Sequence, residues 1–270
     1  MRIAASLALA LVMGIAACSD TATQTPGTPT SAASVPAIYQ ARVDTGPKGE
    51  PVEIQAVNPA YLVPRNQRQR VAYNGPEAPG TLVVDPYARF LYHVLENGEA
   101  MRFGIAVGQA GKNFAGTGSI QRKAAWPSWT PTANMVRTNP ELYGPVRHGL
   151  PGGMDNPLGS RALYLYKGGR DTMYRIHGTM DPSSIGRATS AGCIRLFNQD
   201  IMDLYDELPL GAPVKVRTQA ESIRLEGRLV ETPSGYLVPA EQAQPEAVTA
   251  AASGASTLLP SPVESAVPGA

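Results

Sequence analysis

The alternation of apolar and polar residues predicts a β-rich domain in the middle of the chain. Short apolar runs bounded by Gly, Pro and Asn recur from residue 80 to residue 217, as in folds made of many short strands. Asn97-Gly98 and Gly168-Gly169 separate adjacent runs and favour tight hairpin turns. The pattern predicts a mainly β sandwich or barrel of about 140 residues, enough to bury a core. The runs assigned to strands are 81–85, 89–95, 100–107, 119–125, 161–167, 172–176 and 213–217.

One helix and one long loop interrupt the strands. Residues 198–208 place apolar side chains at helical spacing, with Asn198 as the expected N-cap. Asp181 followed by Pro182 predicts one or two further helical turns. Residues 132–160 are rich in Pro and Gly, and a loop of this length inside a compact domain is usually a lid or a binding loop.

The two ends of the chain differ in composition from this domain. Arg2 precedes a short apolar segment, residues 3–17, which is typical of an export signal and too short to span a membrane. Residues 18–79 are interpreted as a flexible tether followed by an extended arm. Residues 218–270 are interpreted as a low-complexity, disordered tail. The expected domain therefore occupies residues 80–217.

Charge and composition narrow the function classes. The 270-residue chain has a net charge of +1, which gives no basis for nucleic-acid binding. Its three histidines and two cysteines lie at no spacing typical of a metal site, so we expect neither a metal nor a cofactor.

A thiol and an imidazole are the strongest candidates for chemistry. His177 ends an apolar run, and Cys193 follows Gly192 in a Gly-rich turn. An imidazole that takes the thiol proton creates a thiolate nucleophile, and Gly192 allows backbone N–H groups to point at one oxyanion. Arg195 would lie on the same side as the thiol in an extended chain, where it could clamp a carboxylate or lower the thiol pKa. Ser190 could bond within the loop or to a substrate.

Other assignments stay open from the residues alone. His148 in the expected lid is a less favoured base than His177, and His93 in a strand is more typical of a structural residue. Cys193 could also be an inert buried thiol. The preferred interpretation is Cys–His acyl transfer outside the cytoplasm, and the residue types do not specify the substrate.

Two segments resemble the L,D-transpeptidase catalytic domain, also called the YkuD domain. They are His177-Gly178-Thr179 and Ser190-Ala191-Gly192-Cys193-Ile194-Arg195. Asn156-Pro157-Leu158-Gly159 is similar to the ErfK/YbiS branch of that family. Ala191 stands where the family often has His or Arg, which affects the expected substrate contacts but not the nucleophile.

The resemblance implies a sandwich- or barrel-like fold, with one helix after the catalytic loop and a long lid loop. It also implies a reaction on peptidoglycan stem peptides. Cys193 would attack the carbonyl between diaminopimelate and D-Ala, and His177 would protonate the leaving D-Ala. An amine of a second diaminopimelate, or of a murein-anchored outer-membrane protein, would then take the acyl group. The Gly178 carbonyl would orient His177, and the Gly192 and Cys193 N–H groups would hold the oxyanion.

The remaining site residues follow from the same resemblance. Substrate contacts are expected from Arg195, Ser190, Thr179 and Asn156. Two alternatives stay open: an L,D-carboxypeptidase, in which water takes the acyl group, and a lipid-anchored peptidoglycan-binding scaffold.

The export signal ends in a segment that resembles a bacterial lipobox, Ile15-Ala16-Ala17-Cys18. This resemblance implies lipid on Cys18, and Ser19 after it is similar to lipoproteins of the outer membrane. The expected location is the periplasmic side of the envelope, anchored to the membrane through the lipid on Cys18. A lipid-bound Cys18 leaves Cys193 without a disulfide partner in the chain.

Overall fold

The described part of the chain is mainly β. The structure, a computed structural model, describes residues 35–108, 115–188 and 193–243. Its strands are β1 (Arg42–Thr45), β2 (Pro51–Ile54), β3 (Gln69–Ala72), β4 (Leu82–Asp85), β5 (Phe90–Val94), β6 (Glu99–Gly104), β7 (Ala106–Val107), β8 (Gly116–Ala125), β9 (Arg161–Lys167), β10 (Arg170–His177), β11 (Ile194–Arg195), β12 (Pro213–Val216), β13 (Leu229–Glu231) and β14 (Leu237–Pro239). Its α-helices are α1 (Ala133–Thr138), α2 (Pro140–Tyr143), α3 (Asn198–Glu207) and α4 (Gln219–Glu226).

Ten of these strands form one mixed sheet that curls back on itself. Their order is β3-β6-β5-β4-β12-β8-β9-β10-β11-β7. Only Ile105 separates β6 from β7 along the chain, yet the two strands lie near opposite ends of this order. The chain turns this corner at Gly104, where a Cβ atom would come within 2.6 Å of the Asn66 backbone. The mainly β, barrel-like prediction is confirmed.

The interior of this curved sheet is filled by apolar side chains from strands far apart in sequence. Leu82, Phe103, Leu163 and Ile176 are fully buried in one cluster. Helix α3 adds Ile201, Leu204 and the following Leu208 to the same cluster and packs on β9 and β10. The amphipathic spacing therefore predicted this helix correctly. Its N-cap, however, is Phe197, and Asn198 is already its first residue.

The arm predicted before residue 80 is part of the domain. Strands β1 and β2 form a hairpin, and β3 pairs with β6 at the edge of the large sheet. Tyr39 is fully buried and packs edge-on against Phe197, with ring centroids 5.5 Å apart. The interpretation of residues 39–79 as an extended arm separate from the domain is therefore corrected: their scattered apolar residues complete a cluster with Ala106, Ile185 and Phe197, which lie far away in sequence. Residues 1–34, with Cys18, lie outside the described part of the chain.

The tail predicted from residue 218 is also structured in its first part. Thr218 and Glu221 form a capping box at the start of α4, in which Thr218 Oγ1 accepts from the Glu221 N–H at 3.3 Å and Glu221 Oε2 accepts from the Thr218 N–H at 2.7 Å. β13 and β14 then form a hairpin. Ser222 is the buried residue of α4, so the helix carries no apolar stripe from which it could be predicted. Residues 244–270 lie outside the described part.

The predicted lid contains two short helices, α1 and α2, that the sequence did not indicate. Thr132 and Asn139 cap them through their side-chain oxygens. At the base of the lid, Trp129 and Leu150 exchange two backbone hydrogen bonds of 3.0 and 2.7 Å. Among the described residues, the helices are all too short or too polar to cross a membrane.

Candidate active site

The pairing of β10 with β11 brings the thiol and the imidazole to one face of the sheet. The strands are parallel, with Ile176 opposite Ile194 and His177 opposite Arg195. Because alternate residues of a strand point to opposite faces, the two isoleucines enter the core while His177 and Arg195 face away from it. Cys193, one position before Ile194, lies on the same side. All three polar residues line one cleft of about 1110 Å³.

The His177 ring is held in one tautomer. It is buried, and its Nδ1 lies 2.6 Å from the Gly178 carbonyl oxygen. Because a carbonyl oxygen can only accept a hydrogen bond, Nδ1 carries the proton and Nε2 keeps its lone pair. Burial lowers the pKa of His177 to about 4, although the hydrogen bond to Gly178 favours the charged ring. The imidazole is therefore neutral at neutral pH and can accept a proton at Nε2.

The Cys193 thiol is neutral in the same environment. Burial raises its pKa, while the Arg175 guanidinium, a hydrogen bond from the Arg175 backbone N–H and the Arg195 guanidinium lower it. The net direction is upward, so the resting pair is a thiol and a neutral imidazole. The sequence had suggested a thiolate–imidazolium pair, which this burial disfavours.

Asn198 holds the backbone turn that follows His177 through hydrogen bonds, a role that the sequence analysis missed. Its Oδ1 accepts from the Ser160 N–H at 3.0 Å and from the Ser160 hydroxyl at 3.2 Å, and its Nδ2 donates to the Thr179 carbonyl at 2.8 Å. A Cβ atom on Gly178 would overlap Asn198 Oδ1. The residue thus links the lid end, the His177 turn and α3. A polar residue at the first, buried position of a helix was the available signal.

Two of the predicted substrate contacts are occupied within the protein. Asn156 is buried, donates to the Pro127 and Pro151 carbonyls at 2.9 Å each, and accepts from the Leu158 N–H at 2.9 Å. Thr179 Oγ1 accepts from the Asp181 N–H at 3.0 Å. We therefore interpret both as residues that shape loops around the site. Ser190 and Gly192 lie outside the described residues.

The lid supplies an apolar wall to the cleft. Trp129 and Tyr143 stack at an angle with ring centroids 6.2 Å apart, and Met135 and Leu150 extend the same wall. None of these residues was predicted to line the site. The predicted lid thus contributes to the lining of the same cleft as Cys193.

The other two histidines lie away from the thiol. His148 is exposed on the lid and accepts from the Arg147 Nε–H at 3.0 Å. His93 lies on β5, a different part of the sheet, and its Nδ1 is 3.4 Å from the Glu207 carboxylate of α3. No group of three His, Cys, Asp or Glu side chains suited to a metal ion occurs among the described residues.

Known proteins resemble about half of this chain. The YkuD profile, described as the L,D-transpeptidase catalytic domain, matches residues 79–216. Probable L,D-transpeptidase YbiS of Escherichia coli K12 is 35% identical over 154 residues, 54% of this chain and 49% of that protein. Probable L,D-transpeptidase ErfK/SrfK of the same strain is 38% identical over 135 residues, 48% and 41% of the two chains. The chain therefore spans about half the length of these curated relatives.

A solved structure from Brucella melitensis, described as a probable carnitine operon oxidoreductase, is 48% identical and covers 56% of this chain and 94% of that one. The two structures superpose with a TM-score of 0.41. The profile matches about half of the chain and includes both His177 and Cys193. The resemblance seen in the sequence is confirmed: the chain belongs to the YkuD family of L,D-transpeptidase catalytic domains.

Proposed function

We propose that the chain is an L,D-transpeptidase that transfers an acyl group from a peptidoglycan stem peptide through a thioester on Cys193. The observation that carries this proposal is the register of β10 and β11, which places the side chains of His177 and Cys193 on the same face of the sheet, where both line a large cleft. The membership in the YkuD family supports it. The donor is a tetrapeptide stem, and the bond broken lies between diaminopimelate and D-Ala.

The neutral resting pair determines the order of proton movements. Cys193 Sγ attacks the carbonyl carbon as its proton passes to His177 Nε2, so charge develops only when substrate fills the cleft. The oxyanion is held by the backbone N–H groups of Gly192 and Cys193. As the C–N bond breaks, His177 returns the proton to the amine of D-Ala.

The second half of the reaction repeats these steps with an acceptor. The acceptor amine attacks the thioester carbonyl while His177 takes a proton from that amine, and the sulfur leaves and regains a proton as the thiol. A diaminopimelate amine gives a 3-3 cross-link, and a lysine amine anchors a protein to murein. Water as acceptor gives a carboxypeptidase with the same groups.

Mass spectrometry of the products tests the proposal. Purified protein is incubated with disaccharide-tetrapeptide and, separately, with an added amine acceptor. We expect dimer or adduct with loss of D-Ala from the wild type and no product from Cys193→Ala. A tripeptide without dimer would assign the hydrolytic reaction, and full activity of Cys193→Ala would exclude the mechanism. Lack of turnover by the folded wild type would favour the binding scaffold.

We also propose that the domain is held at the periplasmic face of the outer membrane by lipid on Cys18. The described domain starts at Val35, and a connecting segment of about 17 residues at no more than about 3.5 Å each reaches at most about 60 Å from the lipid. Metabolic labelling with palmitate tests this. Label that is lost in Cys18→Ala is expected, and an unlabelled wild-type protein in the soluble periplasmic fraction would refute it.

A further inference from the structure

We propose that Arg122 binds a free carboxylate of the stem peptide, at the far end of a row of side chains that leads to Cys193. The inference rests on the proposed transpeptidase function and adds an anchoring point remote from the bond that is broken.

The row follows from the registers of three strand pairs. Arg122 of β8 lies opposite Tyr164 of β9, and Tyr164 lies opposite Arg175 of β10. The pairing of β10 with β11 places Cys193 beside Arg175. All four residues line the cleft. Neighbouring strands are about 4.8 Å apart, so the backbones at the two ends of the row are separated by about 14 Å. An extended peptide covers this distance in about four residues.

Two irregularities in the sheet produce the alignment. The register of β8 with β9 shifts between Ile120 and Arg122, and that of β10 with β9 shifts between Asp171 and Arg175. Met173, within the second shift, has a φ of +63°. Such bulges redirect side chains and often occur beside binding sites. Here they bring an arginine from each side onto the same tyrosine ring.

The two arginines differ in their charge partners. Each guanidinium lies 4.3 Å from the centre of the Tyr164 ring. Arg175 makes a bidentate ion pair with Asp171, with N–O distances of 2.7 and 2.8 Å. Both oxygens of this carboxylate are therefore engaged. Arg122 makes no ion pair of 4.0 Å or less with any described residue. Its charge acts on Asp171 only over a longer distance, where it helps to lower the pKa of that carboxyl. Arg122 is thus a cation held in place by an aromatic face and available to an anion.

The cleft as a whole favours an anionic ligand. Its described lining includes Arg122, Arg175 and Arg195 but neither Asp nor Glu. A guanidinium held over an aromatic face by its carbon can still offer N–H groups for two parallel bonds to a carboxylate. Apart from the D-Ala carboxylate next to the bond that is broken, a stem peptide carries such groups on the glutamate and on the diaminopimelate side chain. These two remote carboxylates are the candidates for Arg122.

Binding measured without turnover tests the inference. In a Cys193→Ala background, calorimetry gives the Kd of the tetrapeptide and of two analogues, one with the glutamate and one with the diaminopimelate carboxylate converted to a carboxamide. Arg122→Gln should weaken binding of the unmodified tetrapeptide about 5- to 30-fold. It should change binding by less than about twofold for the analogue that lacks the recognised carboxylate. The analogue that is insensitive to Arg122→Gln therefore identifies the bound carboxylate, because that carboxylate is the one converted in it.

A matched control removes the same charge elsewhere. Arg70 is exposed on β3 at the other edge of the sheet, so Arg70→Gln should leave all three Kd values unchanged. Equal weakening of the three peptides by Arg122→Gln, or no weakening, would overturn the inference. If tetrapeptide binding depends on Arg122 but the wild type turns over no stem peptide, the proposed function fails and this inference stands. If the wild type turns over stem peptide but Arg122→Gln does not change the Kd of the tetrapeptide, the proposed function stands and this inference fails.

Discussion

Cys193 and His177 line the same cleft, and their surroundings keep both side chains neutral. Burial raises the pKa of the Cys193 thiol and lowers that of His177 to about 4. The site therefore favours a neutral thiol and a neutral imidazole over a permanent ion pair, and in the proposed mechanism the thiolate forms only during the attack. Two arginines keep the thiol pKa from rising further. The reactivity of the free enzyme should be low at neutral pH and depend on these cations.

Alkylation of Cys193 by iodoacetamide tests this electrostatic balance. The rate should rise with pH to a midpoint above about 8.5, the ordinary thiol value. Arg175→Gln removes the strongest side-chain cation beside the sulfur and should shift the midpoint upward, whereas Arg70→Gln should not. A midpoint below 8 in the wild type would show that the thiolate is stabilised in the resting enzyme.

Close contact between Gly178 and Asn198 gives a second prediction at this scale. Gly178→Ala forces its methyl group onto Asn198 Oδ1, so His177 should be displaced and kcat/KM should fall by about 100-fold or more. Asn198→Ala loses buried hydrogen bonds and should lower the unfolding free energy by about 2–4 kcal/mol in urea titrations.

The double variant Gly178→Ala/Asn198→Ala shows whether overlap with Asn198 causes the loss of activity in Gly178→Ala. Asn198→Ala removes the severe overlap with Oδ1 and leaves a tight contact with Ile201 Cγ2 at 3.1 Å. Adding Gly178→Ala to Asn198→Ala should therefore cost much less stability and activity than adding it to the wild type. Additive losses would show that Gly178 is needed for another reason.

At the scale of elements, the N-terminal arm is attached to α3 by a buried polar contact. Tyr39 donates from its hydroxyl to Asp200 at 3.3 Å, and Arg68 Nε lies 3.6 Å from the other carboxylate oxygen. Burial raises the pKa of Asp200 to about 7, against the opposing effect of the Arg68 guanidinium. Burial thus favours the protonated acid, and it outweighs Tyr39 and Arg68, which both favour the carboxylate.

This contact predicts a pH-dependent effect of Asp200→Asn. The folded-state pKa lies above the unfolded value of about 3.9, so the carboxyl favours folding at low pH and this contribution is lost as pH rises through 7. An amide lacks this titration. The stability gained by Asp200→Asn should be about 2 kcal/mol larger at pH 8 than at pH 5.

Urea titrations of both proteins at the two pH values measure this difference. The comparison also cancels the opposite contribution of His177, whose depressed pKa removes stability as pH falls from about 6.5 to about 4. An equal gain at both pH values would mean that Asp200 stays ionised in the folded protein.

Over the whole molecule, the structural domain is larger than the region that matches the family. The profile begins at residue 79, but β3 joins the large sheet and Tyr39 fills an apolar cluster with Ile185 and Phe197. Ile185 precedes the catalytic turn and Phe197 follows it. The arm therefore supports the segment that carries Cys193, and the two should unfold together.

Tyr39→Ala tests this cooperativity. Removing a fully buried aromatic side chain should cost about 3–5 kcal/mol. Urea titrations monitored by far-UV circular dichroism and by Cys193 alkylation should show one coincident transition at lower urea than the wild type. Tyr39→Phe keeps the ring and should cost only about 1 kcal/mol. Separate transitions for the arm and the catalytic turn would contradict the inference.

Local chemistry was enough to predict the strands and the reactive pair. The apolar runs, the Asn97-Gly98 turn and the spacing in α3 depend on interactions between near neighbours, so the sequence by itself determined the β-rich domain, its main helix and the candidates His177 and Cys193. The tertiary structure alone decided the arm, α4 and the support of His177 by Asn198, because their partners lie far away in sequence. It also decided the protonation states and the Arg122–Tyr164–Arg175 row, since burial and strand register exist only once the sheet has closed.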